Sequence, residues 1–157
     1  MVLGSSNSEP GNSGPSNTEM RAFAYRLLGR REYSIVELGN RIRQKWPEAE
    51  DVGELVGQLA GENLVSDERY AEAFTRSRVQ RHQGPLKIRA AMRGKGVPDP
   101  IIAMAMESEV DNWLELARNW LQKQHPGQLS FKDKQKYYRR LVNRGFTHDQ
   151  AMDACSE

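Results

Sequence analysis

The sequence predicts an all-α protein made of three tandem three-helix repeats in an elongated, curved array. Three observations predict it. Apolar residues recur at i, i+3, i+4 and i+7 from Thr18 onward, the spacing of one helix face. Strand signals are nearly absent: no alternation of period two is sustained, and no Asn-Gly or Asp-Gly turn occurs. A basic residue followed by a small or aromatic one recurs at Lys45-Trp46, Lys95-Gly96 and Arg144-Gly145, with spacings of 50 and 49 residues. A period of that size marks stacked supersecondary units. Units this small bury little by themselves, so neighbours are expected to share packing. An apolar fraction of 38% suits such a thin core.

Residues 1–17 read as a disordered tail. Thirteen of the seventeen are Gly, Ser, Asn or Pro, too little apolar area to offset the entropy of ordering. The first repeat, 18–65, begins with Thr18 as N-cap and Met20, Phe23, Ala24, Leu27 and Leu28 on one stripe. Ser34 caps the next helix, with Ile35, Leu38 and Ile42, and Pro47 punctuates. Val52, Leu55, Val56 and Leu59 give the third, which Gly61 and Asn63 terminate.

The second repeat, 66–107, repeats the phrase. Ser66 caps a helix with Tyr70, Ala73, Phe74 and Ser77; Gly84-Pro85 opens another, stopped at Gly94 and Gly96. Asp99 then caps a helix with Pro100 at its first position, followed by Ile101, Ile102, Ala105 and Met106. The third repeat, 108–157, starts near Glu109, with Trp113, Leu116, Ala117 and Trp120 on one face until Pro126-Gly127. Tyr137, Tyr138, Leu141 and Val142 form the next stripe, stopped at Gly145. Thr147 and Gln150 make a capping box behind Phe146, and Ala151, Met152 and Cys155 follow.

No apolar run approaches the ~20 residues of a membrane span, and Met1-Val2-Leu3 does not begin a secretory signal. A single cysteine, Cys155, excludes an internal disulfide. The cytoplasm is the expected compartment. Catalysis finds no support. His82, His125 and His148 have no Cys or Glu at metal-ligand spacing. No Gly-x-Ser-x-Gly or His-Glu-x-x-His is present. Gly94-Lys95 would need Gly at 89 and Ser or Thr at 96 to make a phosphate loop; Arg89 and Gly96 stand there. Neither enzyme activity nor a metal or cofactor is expected. Glu48, Glu50, Asp51 and Glu54 suit a helix start.

The charge is informative. The chain nets only +2, but residues 67–100 carry +4 and residues 127–145 carry +5, with acidic stretches between and after them. Arg76, Arg78, Lys87, Arg89, Arg93 and Lys95 fall in the first block. Lys132, Lys136, Arg139, Arg140 and Arg144 fall in the second, four of them in steps of four. Like charges at that spacing destabilise an isolated helix by a few tenths of a kcal/mol per pair. A phosphate backbone or an acidic groove would relieve the repulsion. These eleven residues are the candidate contacts for a polyanion or an acidic partner.

The second repeat carries a resemblance. Ser66-Asp67-Glu68-Arg69-Tyr70-Ala71-Glu72-Ala73-Phe74, Arg76-Ser77-Arg78, Gly84-Pro85-Leu86-Lys87-Ile88-Arg89 and Lys95-Gly96-Val97 are similar to the signature stretch of the RecX family of bacterial recombination regulators. In the first repeat Ala24-Tyr25-Arg26-Leu27-Leu28, Arg31-Glu32-Tyr33-Ser34, Glu37-Leu38, Leu59 and Asn63-Leu64-Val65 agree. The resemblance covers roughly residues 19–155. Trp46-Pro47 departs from it, standing where Lys-Gly and an apolar residue are usual, and Met92 replaces a usual Leu.

The resemblance implies a non-enzymatic, monomeric protein that binds the RecA recombinase along its filament on single-stranded DNA. It implies inhibition of ATPase, strand exchange and coprotease activity, by blocked extension or disassembly, with some direct DNA contact. That would place it in DNA repair and the SOS response. The rival is a helix-turn-helix DNA reader, although no middle helix offers an evident base-reading set. A structural adaptor of the helical-repeat type is the third reading.

Overall fold

A computed structural model describes residues 14–156. Every regular element among them is an α-helix: α1 (Asn17–Leu28), α2 (Ile35–Lys45), α3 (Val52–Gly61), α4 (Asp67–Gln80), α5 (Pro85–Gly94), α6 (Asp99–Glu109), α7 (Trp113–Gln124), α8 (Phe131–Asn143) and α9 (His148–Cys155). The chain divides into two compact units between Ser66 and Asp67. No helix among the described residues is long and apolar enough to cross a membrane.

The first unit holds α1–α3 around Leu38, Ile42, Leu55 and Leu59, all essentially without solvent contact. Local signals set its helices. Ser34 accepts from the Glu37 N–H at 3.0 Å and Glu37 accepts from the Ser34 N–H at 3.3 Å, a reciprocal cap. Arg31 adds an ion pair to Glu37 at 2.8 Å and stacks on Tyr33 at 3.7 Å. Helix α1 starts earlier than expected. Its cap is Ser16, not Thr18, because only Ser16 has a Glu three residues on to complete the box. Ser16 and Asn17, read as tail, therefore belong to the helix and its cap; residues 1–13 of that expected tail lie outside the described residues.

The second unit holds α4–α9 and two apolar clusters. Tyr70, Ile88, Met92, Ile102 and Met106 centre one; Trp120, Tyr137, Leu141, Phe146 and Cys155 centre the other. Trp113 packs against both. Two helix starts differ from the sequence reading. Pro98, extended at ψ 145, holds the cap of α6, and Asp99 is already helical. Glu109 ends α6 rather than opening α7. Val110 is extended, and Asn112 caps α7 by accepting from the Glu115 N–H at 3.1 Å. The buried stripe of α4 is Tyr70, Ala71 and Thr75 rather than Ser77, which is exposed.

Candidate nucleic-acid interface

The site starts from the way α4 ends. His82 takes a left-handed conformation at φ 60, and the next N–H, on Gln83, returns to the Arg78 carbonyl at 3.1 Å. The chain therefore reverses within one residue and delivers Gly84 to the end of α8. There the Gly84 N–H donates to the Arg144 carbonyl at 2.7 Å, and the Leu86 N–H donates to the Gly145 carbonyl at 2.9 Å. The approach needs two glycines. A Cβ on Gly84 would overlap the Phe146 nitrogen and the Gly145 carbonyl carbon. A Cβ on Gly145 would overlap Lys87 Cβ and lie 2.8 Å from the Lys87 nitrogen; Gly145 also sits at φ +101.

Side chains reinforce the seam. Arg144 Nη1 donates to the carbonyls of Arg81 at 3.1 Å and His82 at 3.5 Å, while its guanidinium lies 4.8 Å from the Trp120 ring centre. Lys87 Nζ donates to the Asn143 carbonyl at 3.3 Å. The result is an open cavity of about 450 Å³. Arg81, Lys87, Arg140 and Arg144 supply four cations; Trp120, Gln83, Gln124 and Asn143 complete the lining, and no carboxylate lines it among the described residues. The positive field acts on His82. Burial chiefly, then the charges of Lys123 and Arg144, hold its imidazole below the usual pKa.

Along α8 the repulsion anticipated from the stepped charges is partly answered within the protein. Lys136 and Arg140 lie 5.3 and 5.4 Å from the Tyr137 ring centre. Cation–π contact at exposed sites contributes about 0.5–1 kcal/mol each. Lys132, Lys136, Arg139 and Arg140 are all exposed.

The eleven candidate residues thus have different settings. Lys87, Arg140 and Arg144 meet at the cavity, joining the two basic blocks. Arg76 pairs with Glu109 at 2.8 Å, and Arg93 pairs with Asp99 at 2.8 Å. Arg78 covers the Phe74 ring at 4.6 Å. Arg89 is half-buried on α5, and Lys95 forms its exposed C-cap. Arg139 lies on the other side of α8, beside a second groove. Arg81 was absent from the sequence-derived set. In the sequence it is one of three arginines crowding the end of α4; only the left-handed His82 turn singles it out.

A cavity with four cations, amide donors and no carboxylate can hold a phosphate chain. Cations neutralise successive phosphates, and Arg supplies paired donors. The second three-helix domain of RecX matches residues 66–106. The regulatory protein RecX of Chromohalobacter salexigens is 41% identical over 136 residues, covering 85% of this chain and 89% of that protein. The Haemophilus influenzae regulatory protein RecX is 40% identical, covering 84% and 91%. In fold, the crystal structure of RecX from Lactobacillus salivarius aligns with a TM-score of 0.73 at 21% identity, over 88% of this chain and 93% of that one. Identity at this level over most of both chains makes this chain a member of the RecX family of regulatory proteins.

Proposed function

We propose that this protein is a negative regulator of the RecA recombinase that binds the RecA–single-stranded-DNA filament. It lowers ATPase, strand-exchange and coprotease activity by blocking extension or promoting disassembly. The observation that carries this reading is the cavity at the α5–α8 seam, where Arg81, Lys87, Arg140 and Arg144 gather with no carboxylate among the described residues. Kinship with proteins named regulatory protein RecX supports a regulatory role, and the resemblance of the second repeat to that family suggests the recombinase as partner. The exposed row Lys132, Lys136 and Arg140 extends the cationic surface along α8 and suits a linear polyanion. The remaining candidates Arg76, Arg78, Arg89, Arg93, Lys95 and Arg139 lie outside the cavity lining and are assigned outlying contacts.

The test is RecA's single-stranded-DNA-dependent ATPase, titrated with this protein, with light scattering to follow filament length. Sub-stoichiometric suppression with shortened filaments is expected; hydrolysis untouched at equimolar protein overturns the reading. The variant K87E/R140E removes two cations, so its DNA binding is expected to lose about 1.4 from the slope of log K against log salt, at roughly 0.7 per phosphate contact for single strands. A second reading, a sequence-specific DNA reader, is favoured by the amides Gln83, Gln124 and Asn143 in the same cavity. A specificity ratio between duplex sequences that persists at high salt, without RecA, selects it.

A further inference from the structure

Helix α8 has more faces than its core needs. Tyr137 and Leu141 point inward and are buried. Lys132, Lys136 and Arg140, in steps of four, make the cationic face. At about 100° per residue, Phe131, Tyr138 and Val142 form a third face, roughly a quarter turn or more from the cations. Phe131 is 76% exposed and Val142 is 40% exposed, although each is a large apolar side chain. Across from them on α9 stands Met152, 51% exposed. Between the two helices runs a groove of about 620 Å³ with Phe131, Tyr138, Met152 and Cys155 among its lining residues.

Two further features distinguish this groove from scattered surface apolar residues. Its floor is fixed: the Tyr138 hydroxyl and His148 Nδ1 share a hydrogen bond of 2.7 Å, and the two rings meet edge to face at 5.6 Å. Its rim is charged with one sign. Lys134 and Arg139 line it, and no carboxylate does so among the described residues. A contiguous apolar surface with a polar rim is an interaction site, and a purely cationic rim selects what enters. Phosphate chains need cations with hydrogen-bonding donors, not an aromatic and thioether floor. An apolar anchor flanked by carboxylates satisfies both parts.

We propose that the α8–α9 groove docks a short acidic segment of a protein partner, one apolar anchor flanked by carboxylates. Resting on the functional reading above, that partner is the recombinase subunit. Helix α8 then meets the filament with two faces, the cationic one toward nucleic acid and the apolar one toward protein.

The experiment uses the full-length protein and RecA–single-stranded-DNA filaments, pelleted by centrifugation, with single-stranded-DNA binding measured in parallel without RecA. Two variants are compared with wild type: F131S/M152S, which removes the exposed apolar anchors, and K134E/R139E, which inverts the rim. Both alter surface positions, and far-UV circular dichroism checks the fold. Each variant is expected to lose about tenfold or more in filament affinity, the effect of truncating an interface hot spot. F131S/M152S is expected to keep DNA binding within about twofold of wild type. Filament binding by both variants equal to wild type overturns the proposal while leaving the functional reading intact. A parallel loss of DNA binding in F131S/M152S also overturns it, because the groove then faces DNA. So does a wild-type dimer in sedimentation velocity that F131S/M152S dissolves, because a second copy is then the occupant. Wild type that neither pellets with filaments nor suppresses the ATPase removes the functional reading itself, and the groove assignment with it.

Discussion

The turns after α2 and α8 close on different things. After α2, Trp46 stands at φ −130, ψ 82, outside the helical region that a following proline disfavours. Its ring meets Phe23 edge to face at 5.5 Å, and Lys45 lies 5.1 and 5.3 Å from the two ring centres. That turn closes on its own unit's core. After α8, Gly145 at φ 101 lets the Phe146 N–H return to the Leu141 carbonyl at 3.1 Å. The same turn then accepts the backbone of Gly84 and Leu86. The end of α5 uses the same device: Gly96 at φ 78, with the Val97 N–H on the Met92 carbonyl at 3.2 Å. The residue after Lys45 and the one after Arg144 therefore decide what these helix ends can join. Trp46 fills its turn against Phe23, whereas Gly145 leaves room for Gly84 and Leu86 to approach.

The largest expected effect breaks the α8 turn. Gly145→Ala adds a Cβ into Lys87 and forces a left-handed backbone on an L residue. Strain and overpacking of about 1–3 kcal/mol each sum to a loss of about 4 kcal/mol. Urea denaturation measures it. Gly94→Ala is the matched control: Gly94 ends α5 with open space around its Cβ position, so about 0.5 kcal/mol or more of stabilisation is expected. Equal midpoints for the two variants would remove the distinction drawn between the turns. Next in size is Trp46→Ala, expected to cost about 2 kcal/mol from a half-buried aromatic and its edge-to-face pair. Hydrogen exchange should show the lost protection confined to α1–α3.

Sequence legibility followed the range of the interaction. Thr147 with Gln150 forms the capping box that the sequence spells out, and Ser34 caps α2 with Glu37, three residues on, completing a second box. Asn112 is hard to pick out in the sequence because Glu109 resembles a helix start, and only the short stretch 110–112, extended at Val110, separates the two helices. Lys87, Arg140 and Arg144 stood out by charge. Their meeting did not, because it depends on Gly84 reaching Gly145, a contact between residues far apart in the chain. The cationic and apolar faces of α8 share a stretch in which the positive charges hide the exposed Phe131 from a reading by composition.

Arg144→Met sharpens the comparison from the side-chain end. It keeps the apolar stem over Trp120 and removes the donor to the Arg81 and His82 carbonyls. A loss of about 1.5 kcal/mol is expected, as for a hydrogen bond from a charged group. Because the Arg144 charge helps hold the His82 pKa down, the same variant should raise it, as read from the imidazole proton shift against pH.

The smallest expected effect tests the same seam by pH. His82 is held below its usual pKa of 6.5, by burial first and then by Lys123 and Arg144. The unfolded chain, with the ordinary value, takes up the proton at higher pH than the folded one. Stability from this residue is therefore complete above the unfolded pKa of about 6.5 and falls as pH drops toward the folded value. Two other shifted groups act in separate windows. Asp133, held low by its hydrogen bonds with Ser130, contributes stability that is lost only below the unfolded carboxylate value of 3.8. Cys155, pushed up by burial, matters only above the unfolded thiol value of 9.0. His82→Asn isolates the histidine, since Asn tolerates the left-handed φ 60 that this turn requires. Between pH 7 and 5.5 the wild-type stability should fall more steeply than that of His82→Asn. Parallel curves would mean that the imidazole does not sense the cations at the seam, and that the cavity is more open to water than its lining implies.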